Sequence, residues 1–125
     1  MRLHHVQVLC PPGGEDAARR FYGEALGLVE VEKPPALAAR GGVWFRSGRP
    51  DRFGAWDVEL HVGVVQEFRP EKKAHPALVV DDLDTVAERL RVYGYDVEWD
   101  DLFPGYRRIY THDGHGNRVE LLQPA

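Results

Sequence analysis

Four side chains in this 125-residue sequence have the chemistry to hold a divalent cation: His5 and Glu59 in the first half, His75 and Glu120 in the second. Imidazole nitrogen and carboxylate oxygen are both good ligands for such ions. Each glutamate is the middle residue of the same tripeptide, Val58-Glu59-Leu60 and Val119-Glu120-Leu121, and each histidine opens a strand-like run. Between histidine and glutamate, both halves carry an amphipathic helical segment ending at a glycine, Gly27 or Gly94, followed by further strand-like sequence. One half therefore reads as a diverged copy of the other, and a pseudo-twofold metal site is the chemistry such a pairing would support.

The elements that must position these residues follow from periodicity. Leu3 to Cys10 alternates, with His5, Gln7 and Leu9 on one face and Val6 and Val8 on the other; this parity puts His4 with the valines. Glu15 to Leu26 places Ala18, Phe21, Tyr22, Ala25 and Leu26 on one helical stripe, and Gly27 stops it. Strand-like segments follow near 28–32 and 43–46, then a turn-rich stretch from Ser47 to Gly54 and a strand from Trp56 to Val65. The proline-broken segment 68–73 reads as a linker. The second half repeats the order, with a strand over 75–80, a helix capped by Asp82 and carrying Leu83, Val86, Ala87, Leu90 and Tyr93 on its stripe, and strands over 95–99, 106–111 and 118–123. The fold class is α+β: two βαβββ modules, about 1–67 and 74–125, forming cupped mixed sheets with helices on the outer face of a single domain. If Val58, Leu60, Val119 and Leu121 pack beneath the helices, then His5, Glu59, His75 and Glu120 share the opposite, concave face, because strand side chains alternate with period two.

Composition narrows the partners. A hydrophobic content of 43% supports a real core, and a net charge of −4 with no long basic run argues against nucleic acid or an anionic membrane surface. The expected partner is a small molecule. No apolar run approaches a membrane span and the start lacks a signal-peptide core. With Cys10 as the single cysteine, no internal disulfide can form, so a cytoplasmic setting is expected. His61 shares the parity of Glu59 and is either a competing fourth ligand or a pocket-lining hydrogen-bonding group; Gln7, Trp44 and Tyr110 are further candidates for a substrate pocket. His112 and His115, around a turn, read as structural or exposed.

The order LHHVQV, a helix with Phe21-Tyr22 ending Leu26-Gly27-Leu28, then VELHV, AHPALVVDDLD and DGHGNRVELLQP resembles the vicinal oxygen chelate superfamily over nearly the whole chain. That superfamily takes in glyoxalase, fosfomycin-resistance, bleomycin-resistance, epimerase and extradiol dioxygenase proteins. The resemblance implies paired βαβββ modules in a homodimer, with a metal that substrate chelates through neighbouring oxygens. It matches His5, Glu59, His75 and Glu120 to four metal ligands in glyoxalase-like members, and His5, His75 and Glu120 alone to the dioxygenase and fosfomycin types. The implied enzyme is a lyase or isomerase using one divalent metal per site, nickel, cobalt, manganese, iron or zinc, with Glu120 or Glu59 moving a proton. Runner-up readings are a dioxygenase or thiol transferase, and a drug-binding dimer without catalysis. The sequence departs from the usual Asp-Pro-x-Gly-Asn turn at Asp113-Gly114-His115-Gly116-Asn117, where glycine replaces proline.

Overall fold

In the computed structural model, which describes residues 1–125, the chain divides into two units, Met1–Arg69 and Pro70–Ala125. Each holds one four-stranded mixed sheet, with the βαβββ order expected. No helix is long and apolar enough to cross a membrane.

In the first unit β1 (Val6–Cys10) pairs parallel with β4 (Trp56–Val64), which pairs antiparallel with β3 (Val43–Pro50), and that with β2 (Val29–Val31). The parallel pair requires a crossover, supplied by α1 (Glu15–Ala18) and its continuation Arg19–Ala25 in the wider π-helical winding. The widening shows in the Leu26 amide, which donates to the Phe21 carbonyl five residues back at 2.9 Å. Ala18, Phe21, Tyr22 and Ala25 are buried, as the stripe predicts, and pack with Phe45, Leu60 and Val62 as the core. Gly27, at φ 80°, ends the segment.

Two features differ from expectation. Ser47–Pro50 is strand rather than turn: β3 continues through a register shift between Ser47 and Pro50, and the Asp57 carboxylate accepts from the Arg49 amide at 3.0 Å. A Cβ at Gly48 would lie 2.0 Å from that carboxylate, so the glycine is needed for close approach and not for a chain reversal. A short helix, α2 (Pro35–Ala38), also interrupts the β2–β3 connection; at four residues it is too brief for periodicity to register.

In the second unit β5 (Ala77–Val79) pairs parallel with β8 (Arg118–Pro124), followed by β7 (Tyr106–His112) and β6 (Glu98–Asp100) in antiparallel array. The crossover helix α3 (Leu83–Val92) begins where Asp82 accepts from the Thr85 amide at 3.0 Å, and buries Leu83, Ala87 and Leu90. Strand β6 starts at Glu98, three residues later than expected, because the chain from Gly94 onward first closes the helix. The Asp113–Asn117 turn is held by side chains: Asp113 Oδ1 accepts from the His115 and Asn117 amides, and Asn117 Oδ1 accepts from the Glu71 amide at 3.0 Å. This last bond ties the segment preceding His75 to the entry of β8, which carries Glu120. Hydrogen bonding thus does the rigidifying that proline does in the related turn.

Candidate metal centre

The alternation of the central strands decides which groups meet. In β4, Leu60 and Val62 pack against the helical layer while Glu59 and His61 occupy the other face; in β8, Val119 and Leu121 pack inward while Glu120 takes the other face. Both glutamates are buried all the same, at 6% and 5% exposure, so each needs partners for its charge.

Glu59 finds them in its own unit. Arg46, directly opposite in the β3–β4 register, donates through Nε to Glu59 Oε1 at 2.5 Å. His61 Nε2 donates to Glu59 Oε2 at 3.0 Å, and His4 Nδ1 lies 3.5 Å from the same oxygen. Burial pushes the Glu59 carboxyl up, but the hydrogen bonds from Arg46 and His61 and the charges of Arg46 and His4 outweigh it and hold the group below the usual carboxylate range. Burial pushes the His61 imidazole down, against the pull of Glu59, so His61 is neutral with its proton on the nitrogen facing that carboxylate. Its ring is fixed between two others, stacked on Trp44 at 3.8 Å between centroids and on His5 at 4.1 Å.

Glu120 is held in the same style by different residues. His75 Nε2 lies 2.8 Å from Glu120 Oε2 and its Nδ1 lies 2.6 Å from the Lys73 carbonyl, so contacts on both ring nitrogens fix the orientation of the ring. Arg108 donates to Glu120 Oε1 at 3.0 Å and to Asp100 at 2.9 Å. Tyr110, opposite Glu120 in the register, meets the His75 ring edge-on at 5.6 Å and lies under the Arg118 guanidinium at 3.7 Å.

A common pattern emerges. In each unit an arginine occupies Oε1 of the glutamate and histidine faces Oε2. Two ligand atoms each about 2.1 Å from one cation and roughly at right angles stand about 3 Å apart, and the His75–Glu120, His4–His5 and His4–Glu59 separations of 2.8, 3.0 and 3.5 Å bracket that spacing. The ligand atoms of His4, His5 and Glu59 all fall within 4.8 Å of one another. Within each unit, these donor atoms are spaced as ligands of a divalent cation are, with that unit's arginine as the outer partner that orients its carboxylate.

Sequence reasoning missed three of these residues. Alternation from Leu3 puts His4 on the other face, but β1 begins only at Val6, so strand alternation does not govern His4 and its ring turns toward Glu59. Arg46 and Arg108 had a signal that went unused: both are charged residues on interior strands at the parity of the helix-free face. His112 is paired with Asp96 at 2.7 Å, outside the centre.

A cavity of about 370 Å³ adjoins His5 in the first unit and is lined by Gln7, Trp44 and His61, three of the four residues expected in a pocket; Tyr110 lies in the second unit, beside His75.

No family model matches the sequence, and a search of curated proteins finds no match. Solved structures do match. A glyoxalase family protein from Bacillus anthracis is 40% identical, with a TM-score of 0.90 over 100% of this chain and 96% of its own. A fosfomycin resistance protein from Listeria monocytogenes (16% identity, TM-score 0.73, 100% of this chain and 94% of that one) shares the fold. So does a lactoylglutathione lyase from Agrobacterium tumefaciens (22%, 0.65, 94% and 91%). Given its likeness to the Bacillus protein along its whole length, the chain belongs to the glyoxalase family of the vicinal oxygen chelate superfamily.

Proposed function

We propose that this protein is a divalent-metal-dependent enzyme of glyoxalase type, a lyase or isomerase that binds a small molecule through two adjacent oxygens and moves a proton. The observation that carries the reading is the matched pair of buried glutamates, each anchored at Oε1 by arginine and facing histidine at Oε2. The ligands would be His5, Glu59, His75 and Glu120. We assign His5 rather than its neighbour because His5 is positioned by stacking on the buried His61 ring. A bound cation would act as a Lewis acid toward the two substrate oxygens, and the mixed nitrogen and oxygen set suits nickel, cobalt, manganese, iron or zinc.

The protein's own groups divide the remaining work. Arg46 keeps Glu59 ionised and a weak base, which suits a permanent ligand. We assign proton transfer to Glu120, whose Oε2, once released from the cation, would take up and return the proton while Arg108 holds the other oxygen. His61, neutral and clamped between rings, keeps the Glu59 carboxylate in one orientation. We further propose a homodimer, since each sheet has unpaired edge strands, β1 and β2 or β5 and β6, that a second copy can cover.

The test is metal titration of untagged protein by calorimetry with manganese, nickel and zinc. Tight wild-type binding should weaken at least tenfold in His75→Ala and in Glu120→Ala with the circular dichroism of the helices retained. Equal affinity in all three proteins would remove the ligand assignment. Light scattering on the same metal-loaded sample reads the dimer, and a monomer at micromolar concentration would exclude it.

A further inference from the structure

We infer that the cavity beside His5 is an anion-recognition pocket, and that the substrate is a small acid carrying a carboxylate or phosphate group read by Lys33 and Arg40. This rests on the reading of His5 as part of the metal centre and adds the substrate class.

The charge of the lining is the first argument. The chain carries a net charge of −4, yet the only formally charged side chains lining this cavity are Lys33 and Arg40, with no carboxylate among the lining residues. Arg40 differs from the arginines that are held in ion pairs. Arg2, Arg19, Arg46, Arg91, Arg107 and Arg108 are each ion-paired to a carboxylate, whereas Arg40 has no such partner. Lys33 donates one N–H to the Gly41 carbonyl and so retains two donors and its full charge.

The second argument is preorganisation. Arg40 and Gly41 follow α2 directly, in a turn whose path is dictated by glycine: Gly41 and Gly42 sit at φ 73° and 86°. A Cβ at Gly42 would fall 2.2 Å from the Val62 carbonyl, so this turn lies tightly on β4. The Gly42 amide donates to Glu15 Oε2 at 3.1 Å and Lys33 ties the other side through Gly41. A loop fixed at three points holds its two cations without a folding cost at binding. The third argument is size and wall chemistry. About 370 Å³ lies near the small end of the range for ligand pockets, roughly 300–1,000 Å³, and Trp44, Leu37 and Val64 give it an apolar wall while His5 and His61 close the side toward the metal centre. A compact molecule with an anionic end and a vicinal-oxygen end matches those two poles.

The experiment uses the metal-free full-length chain, titrated with salicylate, phenyl phosphate and uncharged salicyl alcohol, and followed by the amide resonances of Gly41 and Gly63. The anions should shift both resonances and the alcohol should not. Arg40→Gln and Lys33→Gln should each weaken the anions about tenfold or more, Arg40→Lys should recover part of the loss, and added salt should weaken binding. The tighter of the two anions identifies the acidic group. Absence of shifts with both anions, equal binding of the alcohol, or unchanged affinity in both glutamine variants would overturn the proposal. Manganese titration of the same variants keeps the two readings separate: it should match wild type in Arg40→Gln, and a wild type that bound anions but no metal would sink the metal reading and leave the pocket standing.

Discussion

Replacing Arg46 by alanine removes the main compensation for the charge on Glu59, and the structure fixes what that should cost. The Glu59 side chain is 1% exposed and the Arg46 side chain 32% exposed, with 2.5 Å between Nε and Oε1. Breaking a fully buried pair costs about 3–5 kcal/mol. Here a third of the guanidinium is in water and His61 still donates to the other oxygen, so the loss of one charge-assisted hydrogen bond, about 1.5–3 kcal/mol, is the better guide. Losing the stacking of the Arg46 guanidinium on Trp56, at 5.2 Å, adds roughly 0.5 kcal/mol. A total near 2.5 kcal/mol corresponds to a Tm lower by roughly 8–12 °C for a chain of this length. The pH dependence is the sharper check. A carboxyl whose folded pKa is depressed contributes stability above its unfolded value, 4.5 for glutamate, and loses that contribution as pH falls through the lower folded value. Without Arg46, burial is opposed only by His61 and His4, so the Glu59 pKa rises and the contribution shrinks or reverses. The difference between wild type and Arg46→Ala should therefore be largest near neutrality and fade below about pH 4. Urea denaturation across that range measures it. A Tm within about 2 °C of wild type at neutral pH, or a cost that does not change on acidification, would refute the argument.

Two further outcomes follow from single side chains. Thr111 is fully buried on the helix side of β7 and its Oγ1 has no hydrogen-bond partner, so Thr111→Val should stabilise the protein by about 0.5–1.5 kcal/mol in urea denaturation; a loss of stability would mean that the hydroxyl is satisfied. Glu59→Gln should weaken divalent-metal binding more than His61→Gln does, because the amide forfeits the ligand's charge whereas His61 only orients it. Calorimetric titration returning the reverse order would make His61 the ligand.

Local rules account for much of what the sequence made legible. Asp82 and the spacing of Leu83, Ala87 and Leu90 dictate α3, because a side-chain acceptor at the first turn and a 3.6-residue stripe are properties of the segment itself. Strand parity likewise puts Glu59 and Glu120 on the face away from the helices with no knowledge of their neighbours. Other features needed the folded chain. Ser47-Gly48-Arg49-Pro50 has turn composition and is strand, since its conformation is set by pairing with β4 and by the closeness of Asp57. The register of β3 on β4 set Arg46 opposite Glu59, whereas Arg108 reaches Glu120 diagonally, from the residue paired with Leu122. Two copies of one unit thus solved the same charge problem from non-equivalent positions. Arginine makes this possible because its long side chain ends in a fork of donors that can meet a carboxylate from either a paired or a diagonal position, so its partner is decided by strand pairing in three dimensions and not by spacing along the chain.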